Sequence, residues 1–510
     1  MLVDGRIISK ELTAALQPEQ RSGRDGCDVW RTRCVGSLHT EEVRVAGIAK
    51  CLKGWAGCAL ICLAVRLVAH GQMPSMPDMD EEHKAPASQR DCMPGMAMPG
   101  CPNPATPDSG PMQHMHPHSF LEEIQHHASA GTSAEPNSTP APMVMWVRGN
   151  WMVMLHGLAF LTDEQQSGQR GADKAFSTNW VMPMAQREFG RGQLTVRAMF
   201  SLEPATVTGR QYPLLFQQGE TAYGRPIANG QHPHDFLMEL GALYDLRVGE
   251  HSLVSVYAAP VGDPALGPTA FPHRASSAEN PVGTLGHHQE DSTHIAADVV
   301  TVGVTHRMVR LEASGFHGRE PDEHRWNLDQ GAIDSWSTRL TVQPGQNWSG
   351  QYSYGQIRSP EALFPDEDQD RMTASVMYNR PIGENGKRGN WASTVAWGRT
   401  RDSDGAVENS YLVESTLQVG KNNVWTRMEN AGRTNELLLG EHALPAKFTE
   451  TPLTHVQVYT FGYDREVARV PHLSLALGAQ LTAYGVGQPL KPTYGEHPVG
   501  GLMFVRLRPF

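Results

Sequence analysis

The chain has 510 residues, a formal net charge of −11 and a pI near 6.1, which excludes the basic surface that nucleic-acid binding requires. Mean hydropathy is −0.41, too polar for a bundle of membrane helices but compatible with an outer-membrane barrel, whose alternating strands never look hydrophobic in bulk. All seven cysteines (Cys27, Cys34, Cys51, Cys58, Cys62, Cys92 and Cys101) fall near the start, and the cysteine-free remainder suits an oxidising compartment.

Residues 1–71 read as a leader. "KCLKGWAGCALICLAV" (50–65) has a basic start at Lys50 and Lys53, then an apolar stretch too short to span a bilayer. It is expected to act as a signal peptide, over about 46–71, with cleavage near Gly71; the alternative is a short buried helix. Residues 1–45 show no clear role.

Residues 72–142 are expected to be disordered and periplasmic. "MPSMPDMD", "CMPGMAMPGC" and "MQHMHPH" repeat proline and glycine without helical or strand period. Their methionines are Met73, Met76, Met79, Met93, Met96, Met98, Met112 and Met115, interleaved with His83, His114, His116 and His118. Thioether sulfur selects Cu(I) and imidazole accepts Cu(II), so copper is the expected ligand of this segment. The alternative is a biased linker.

From residue 143 to the C-terminus, runs of about ten residues alternate apolar and polar, as strands of an outer-membrane barrel do. In "QLTVRAMFSLE", Leu194, Val196, Ala198, Phe200 and Leu202 share one face; Thr195, Arg197, Ser201 and Glu203 share the other, with Met199 out of pattern. "NWSGQYSYGQ" (347–356), "DRMTASVMYN" (370–379), "SYLVESTLQV" (410–419) and "HLSLALGAQLT" (472–482) repeat the arrangement. About sixteen strands are expected, starting near 151, 178, 192, 236, 251, 294, 307, 333, 346, 370, 389, 409, 422, 454, 471 and 498. Connections tend to alternate long and short, which also fits an up-and-down antiparallel transmembrane β-barrel with polar lumen and lipid-facing exterior. The final Phe510 agrees with such a barrel. A soluble β-sandwich or propeller is the alternative, but no blade-length repeat is visible.

Two long connections carry histidines. "NGQHPHDF" (229–236) holds His232, His234 and Asp235. "FPHRASSAENP" (271–281) and "GHHQEDSTH" (286–294) add His273, His287, His288, Glu290, Asp291 and His294. Imidazole with carboxylate suits zinc, Cu(II) or nickel. His232 and His234, two apart in an extended segment, are expected to face one ion, with Asp235 as ligand or orienter. His273 and one of His287 or His288, which are adjacent and point apart, are the expected partners. The same residues could instead shape a pore constriction. "FHGREPDEHRWN" (316–327) reads as a salt-bridged outer loop.

"HPHD" is superficially similar to motifs of binuclear metallohydrolases, but the chain has no strand–helix alternation, nucleophile elbow or phosphate-binding glycine loop, and no enzyme is expected.

The combination of signal peptide, "MPSMPDMD", "CMPGMAMPGC" and "MQHMHPH" ahead of a barrel, and the ending "FVRLRPF", resembles the outer-membrane copper-resistance B proteins. That resemblance implies copper sequestration or export across the outer membrane, without an enzymatic step. The expected partners are outer-membrane lipid, metal ions (copper, alternatively zinc) and periplasmic copper-handling proteins, with no organic cofactor. The competing expectations are a general porin or solute channel with histidine-rich constriction loops, and a metal-dependent hydrolase on a barrel scaffold.

Overall fold

The computed structural model describes residues 117–362, 364–440 and 453–510. The expected signal peptide and the Met/His clusters from Met73 to His116 lie outside the described residues.

Short strand β1 (Val144–Arg148) precedes the wall strands β2 (Trp151–Gln166), β3 (Lys174–Phe189) and β4 (Gly192–Phe200). The following loop carries β5 (Tyr212–Pro213), β6 (Glu220–Ala222), β7 (Arg225–Ile227) and β8 (Gly230–Gln231). The wall continues through β9 (Leu237–Gly249), β10 (Ser252–Gly262), β11 (Ala296–His306), β12 (Val309–His317), β13 (Ser335–Gly345) and β14 (Trp348–Ile357). It is completed by β15 (Gln369–Ile382), β16 (Gly389–Asp402), β17 (Val407–Val419), β18 (Asn422–Thr434), β19 (Leu453–Val470), β20 (Leu473–Gly485) and β21 (Val499–Arg508). Each wall strand pairs antiparallel with the next, and β21 returns to β2 through Ala159↔Leu507 to Gln166↔Gly500. The result is a closed sixteen-stranded antiparallel barrel. Near the seam, β21 leaves the start of β2 unpaired, and β1 fills that edge with Val144↔Leu155 to Arg148↔Trp151.

The alternation read from sequence is the pleat of this wall. Val196, Tyr352, Val376, Val413 and Leu481 are exposed on the outside, whereas Thr195, Arg197, Ser353, Thr373 and Glu414 are buried inside. Apolar side chains toward lipid and polar ones toward the lumen is the arrangement a membrane barrel requires. β3 begins at Lys174, four residues before the expected 178, because Phe176 points inward and stacks on Tyr212 at 4.9 Å. Met199, out of pattern in the sequence, is buried inside with Met143, Met154, Met182, Met184 and Met238 in one apolar cluster.

Structure begins earlier than the expected barrel start at 143. Helix α1 (Phe120–His126) is capped by Ser119, whose hydroxyl accepts the Glu122 N–H, and it buries Phe120, Leu121 and Ile124 against Ala134 and Leu253. The chain then runs through the lumen as a strap, with His127, Ala130, Thr132, Ala134, Asn137 and Ser138 all buried. This corrects the expectation of disorder for residues 117–142. The strap is held by the wall: Arg197 Nη2 donates to Gly131 O at 2.6 Å, Arg339 Nη2 to Thr132 Oγ1 at 3.0 Å, and Asn379 Nδ2 to Ser138 O at 2.6 Å.

Candidate functional site

The long connection 263–295 is not an outer loop. It folds into the barrel, and from Asp263 to His294 nearly every residue is buried. Charged wall residues hold it there. Arg427 Nη1 donates to Val282 O and Gly283 O at 3.0 Å each, and Glu429 accepts the N–H of Gly286 at 3.3 Å. Arg433 donates to Leu285 O and, at 2.8 Å, to Phe216 O of the preceding long loop. Arg274, in the loop itself, bonds Glu414 at 2.6 Å and Asp291 at 3.1 Å. Buried polar groups are tolerable only when paired, and here the pairing specifies where the loop lies. Glycines permit the close fit: a Cβ on Gly398 of β16 would stand 2.2 Å from Gln289 O, and one on Gly286 2.1 Å from Ser410 Oγ.

The insertion brings part of the expected histidine set together. His294 lies between His234 and His287, its ring 5.3 and 5.1 Å from theirs, centroid to centroid. Phe271 packs against all three. Each Nδ1 is engaged by an oxygen: His234 with Glu203 Oε2 at 3.0 Å, His287 with Asp291 Oδ1 at 2.6 Å, His294 with Asp291 O at 2.8 Å. Nε2 of His294 is buried and has no hydrogen-bond partner. Asp291 is fixed in turn by Arg274 and by the Phe271 N–H at 3.0 Å. Burial, with the neighbouring His287 and His234, pushes the His294 imidazole down to about 3. Burial also lowers His287, against the pull of Asp291. Both rings are therefore neutral, the form that binds metals. Burial opposes ionisation of Asp291, but His287 and Arg274 outweigh it and hold the carboxylate below its usual range.

Other expected members stand elsewhere. His232 does not share a target with His234: its Nδ1 bonds Pro233 O at 2.8 Å, and it lines a separate cleft with His317, Arg319 and Glu320. The backbone of 232–235 around Pro233 is irregular rather than a regular strand. Asp235 pairs with buried Arg325 at 3.3 Å. Burial pushes its carboxyl up to about 6, against the effect of Arg325. His273 lies 4.4 Å from the Trp180 ring and 6.0 Å from His156, and neither of its nitrogens has a hydrogen-bond partner. His287 and His288 diverge as expected. His288 turns toward Glu320, 4.0 Å away, and among the described residues His288, Glu320 and Glu361 are the set whose potential ligand atoms all lie within 4.8 Å of one another. Glu290 accepts from Ser410 of the wall and is pushed up to about 8 by burial. His118 sits at the start of α1, its N–H bonded to Glu122 at 2.7 Å.

Sequence reasoning missed Glu203, Phe271 and Arg274. Glu203 sits in α2 (Glu203–Thr206), just after β4. Its position on the inward face of "QLTVRAMFSLE" was the available signal. The segment 316–327 is only partly an outer loop, since Arg325 is buried and Glu320 faces His288.

A closed barrel with a polar interior, an apolar exterior and an inserted loop defines a transmembrane β-barrel of the outer-membrane kind. In fold it is similar to an anion-selective porin from Comamonas acidovorans, at 11% identity over 71% of this chain and 100% of that one, with a TM-score of 0.44. OprB of Pseudomonas putida is 8% identical over 71% and 94% of the two chains, with a TM-score of 0.46. OpdL of Pseudomonas aeruginosa is 9% identical over 70% and 98%, with a TM-score of 0.35. At these values the likenesses add nothing about activity, and the barrel stands on its own strand pairing. No family model and no curated protein sequence matches the chain.

Proposed function

We propose that this protein is an outer-membrane solute channel whose lumen is narrowed by two segments of its own chain. The carrying observation is the set of wall arginines, Arg197, Arg339, Arg427 and Arg433, that hold the strap and the loop 263–295 by the main-chain carbonyls of Gly131, Gly267, Val282 and Leu285. Main-chain carbonyls offer neutral acceptors, so the segments can leave without a carboxylate being stranded at those four contacts. Conductance of the full chain in planar lipid bilayers tests this. The expected result is a small unit conductance that rises severalfold when residues 120–141 are deleted. A folded barrel that conducts in neither form would refute the channel.

A second reading, copper handling across the outer membrane, is supported by the six buried methionines of the lumen cluster and by the sequence of 72–116. Soft thioethers favour Cu(I). A peptide covering 72–118 should bind Cu(I) more tightly than Zn(II), and should lose that preference when its eight methionines become leucine. Equal zinc binding before and after would remove the segment's support for copper.

A further inference from the structure

We propose that His234, His287 and His294 form a binding site for one divalent first-row transition-metal ion, such as zinc or Cu(II), inside the barrel. The inference goes beyond the channel reading and does not depend on conductance. It rests on how the three rings are held. A metal-ligating histidine normally donates its other ring N–H to a carboxylate or carbonyl, which fixes the tautomer and aims the free nitrogen. All three rings have that arrangement. Glu203 Oε2 serves His234, Asp291 Oδ1 serves His287 and Asp291 O serves His294, at 3.0, 2.6 and 2.8 Å. In each case Nε2 is the nitrogen left to bind an ion.

The supporting groups are themselves supported. Glu203 Oε2 also accepts the His234 N–H at 2.9 Å, and Glu203 Oε1 the Asn179 N–H at 3.1 Å. Asp291 is anchored by Arg274, which is bound to Glu414 of the wall. A chain of fixed contacts thus runs from β17 to the rings. The second, independent observation is Nε2 of His294. It belongs to a residue only 6% exposed, has no hydrogen-bond partner, and lies in the ring flanked by the other two. A buried, unsatisfied imidazole nitrogen costs free energy that a bound ion would recover.

Ligand chemistry sets the class of ion. Three imidazoles with no free carboxylate in the ligand set disfavour Mg²⁺ and Ca²⁺, which need oxygen, and suit borderline ions. The His294 ring centroid stands 5.3 Å from that of His234 and 5.1 Å from that of His287. The ligand nitrogens of the three rings do not all lie within 4.8 Å of one another in this structure, so binding includes closure of the "HPHD" segment toward the loop 263–295.

Cobalt(II) is the probe, since its visible absorption reports coordination geometry. The full chain, purified in detergent and freed of metal, is titrated with Co(II), and bound metal is counted by elemental analysis. Because the Met/His segment offers further ligands, each variant is compared with the wild type of the same length. His294→Gln, which keeps a donor for Asp291 O, should lose one ion and the tetrahedral absorption band. Asp291→Asn should weaken that site roughly 10- to 100-fold. His273→Ala and His232→Ala should leave it intact. Heat-modifiable migration on gels confirms that each variant retains a closed barrel. Wild-type stoichiometry and spectrum in His294→Gln would overturn the proposal. So would loss of the band in His288→Ala but not in His294→Gln, which would place the ion with Glu320 and Glu361 instead. Should His294→Gln fail to close, Asp291→Asn decides: unchanged Co(II) affinity overturns the site, and weakened affinity upholds it.

Discussion

Arg274 Nε lies 2.6 Å from Glu414 Oε1, joining the inserted loop to the wall strand β17 across 140 residues of sequence. Glu414 also accepts from Arg427 Nε at 3.1 Å and from Ser276 Oγ at 2.9 Å. Glu414→Ala therefore leaves the buried Arg427 without its carboxylate and Arg274 with Asp291 alone. Breaking such a pair costs about 3–5 kcal/mol. The expected outcome is a barrel that still forms but releases its loop. Limited proteolysis of intact cells should then cut within 263–295 in the variant and spare the wild type. Equal protection would show that Glu414 does not hold the loop.

Gly398 offers a test that removes no charge. Its absent side chain lets the wall approach Gln289 O. Gly398→Val should displace the short helix α3 (His287–Glu290) while keeping the strand itself, since valine suits a strand. Larger unit conductance with unchanged heat modifiability is the expected reading.

The outer face makes its own prediction. Val395, near the middle of β16, is 55% exposed, and its neighbour Thr394 is buried inside. Val395→Arg should destabilise the folded barrel by about 2–4 kcal/mol, the cost of a cation at the bilayer midplane. Denaturant titration in lipid vesicles measures it. A cost near zero would mean that this face does not meet lipid.

Glu135 in the strap predicts a pH dependence. Burial pushes its carboxyl from 4.5 up to about 7; the Ala275 N–H and Arg274 pull the other way, and Glu414 adds to the rise. A raised pKa in the folded state means stability that is full below the unfolded value and is lost as pH rises through the folded one. The strap should therefore loosen between about pH 4.5 and pH 7, seen as faster amide exchange over 129–139. Glu135→Gln should remove that dependence. Persistence of the same profile in the variant would assign it to another group.

The wall was legible because its two faces meet different solvents: period two follows from lipid on one side and the polar lumen on the other. All sixteen expected strand starts lie close to a wall strand, and those at 151, 192, 389 and 422 coincide with observed ones. The interior was not legible for a physical reason. Many of the hydrogen bonds that place the strap and the loop go to their carbonyls, and every sequence has carbonyls. "ASAGTSAEPNSTPAP" (128–142) has the composition of a disordered linker, and nothing local signals Arg197 or Arg339 waiting to bind it. The histidines stand out in the sequence, but which of them meet depends on contacts such as His234–Glu203 and His234–His294 that a pattern search within one loop cannot find.

The seam strand has a consequence for how the molecule is made. The strap lies between α1 and β1, and β1 occupies the part of β2 that β21 leaves bare. Once β2 and β21 have zipped, the ring admits no new chain from the side. Entry of the strap from the side is therefore open only before closure. A barrel closed first, with residues 117–143 supplied later as a separate peptide, could receive them only end-on through a lumen that its own loop already fills.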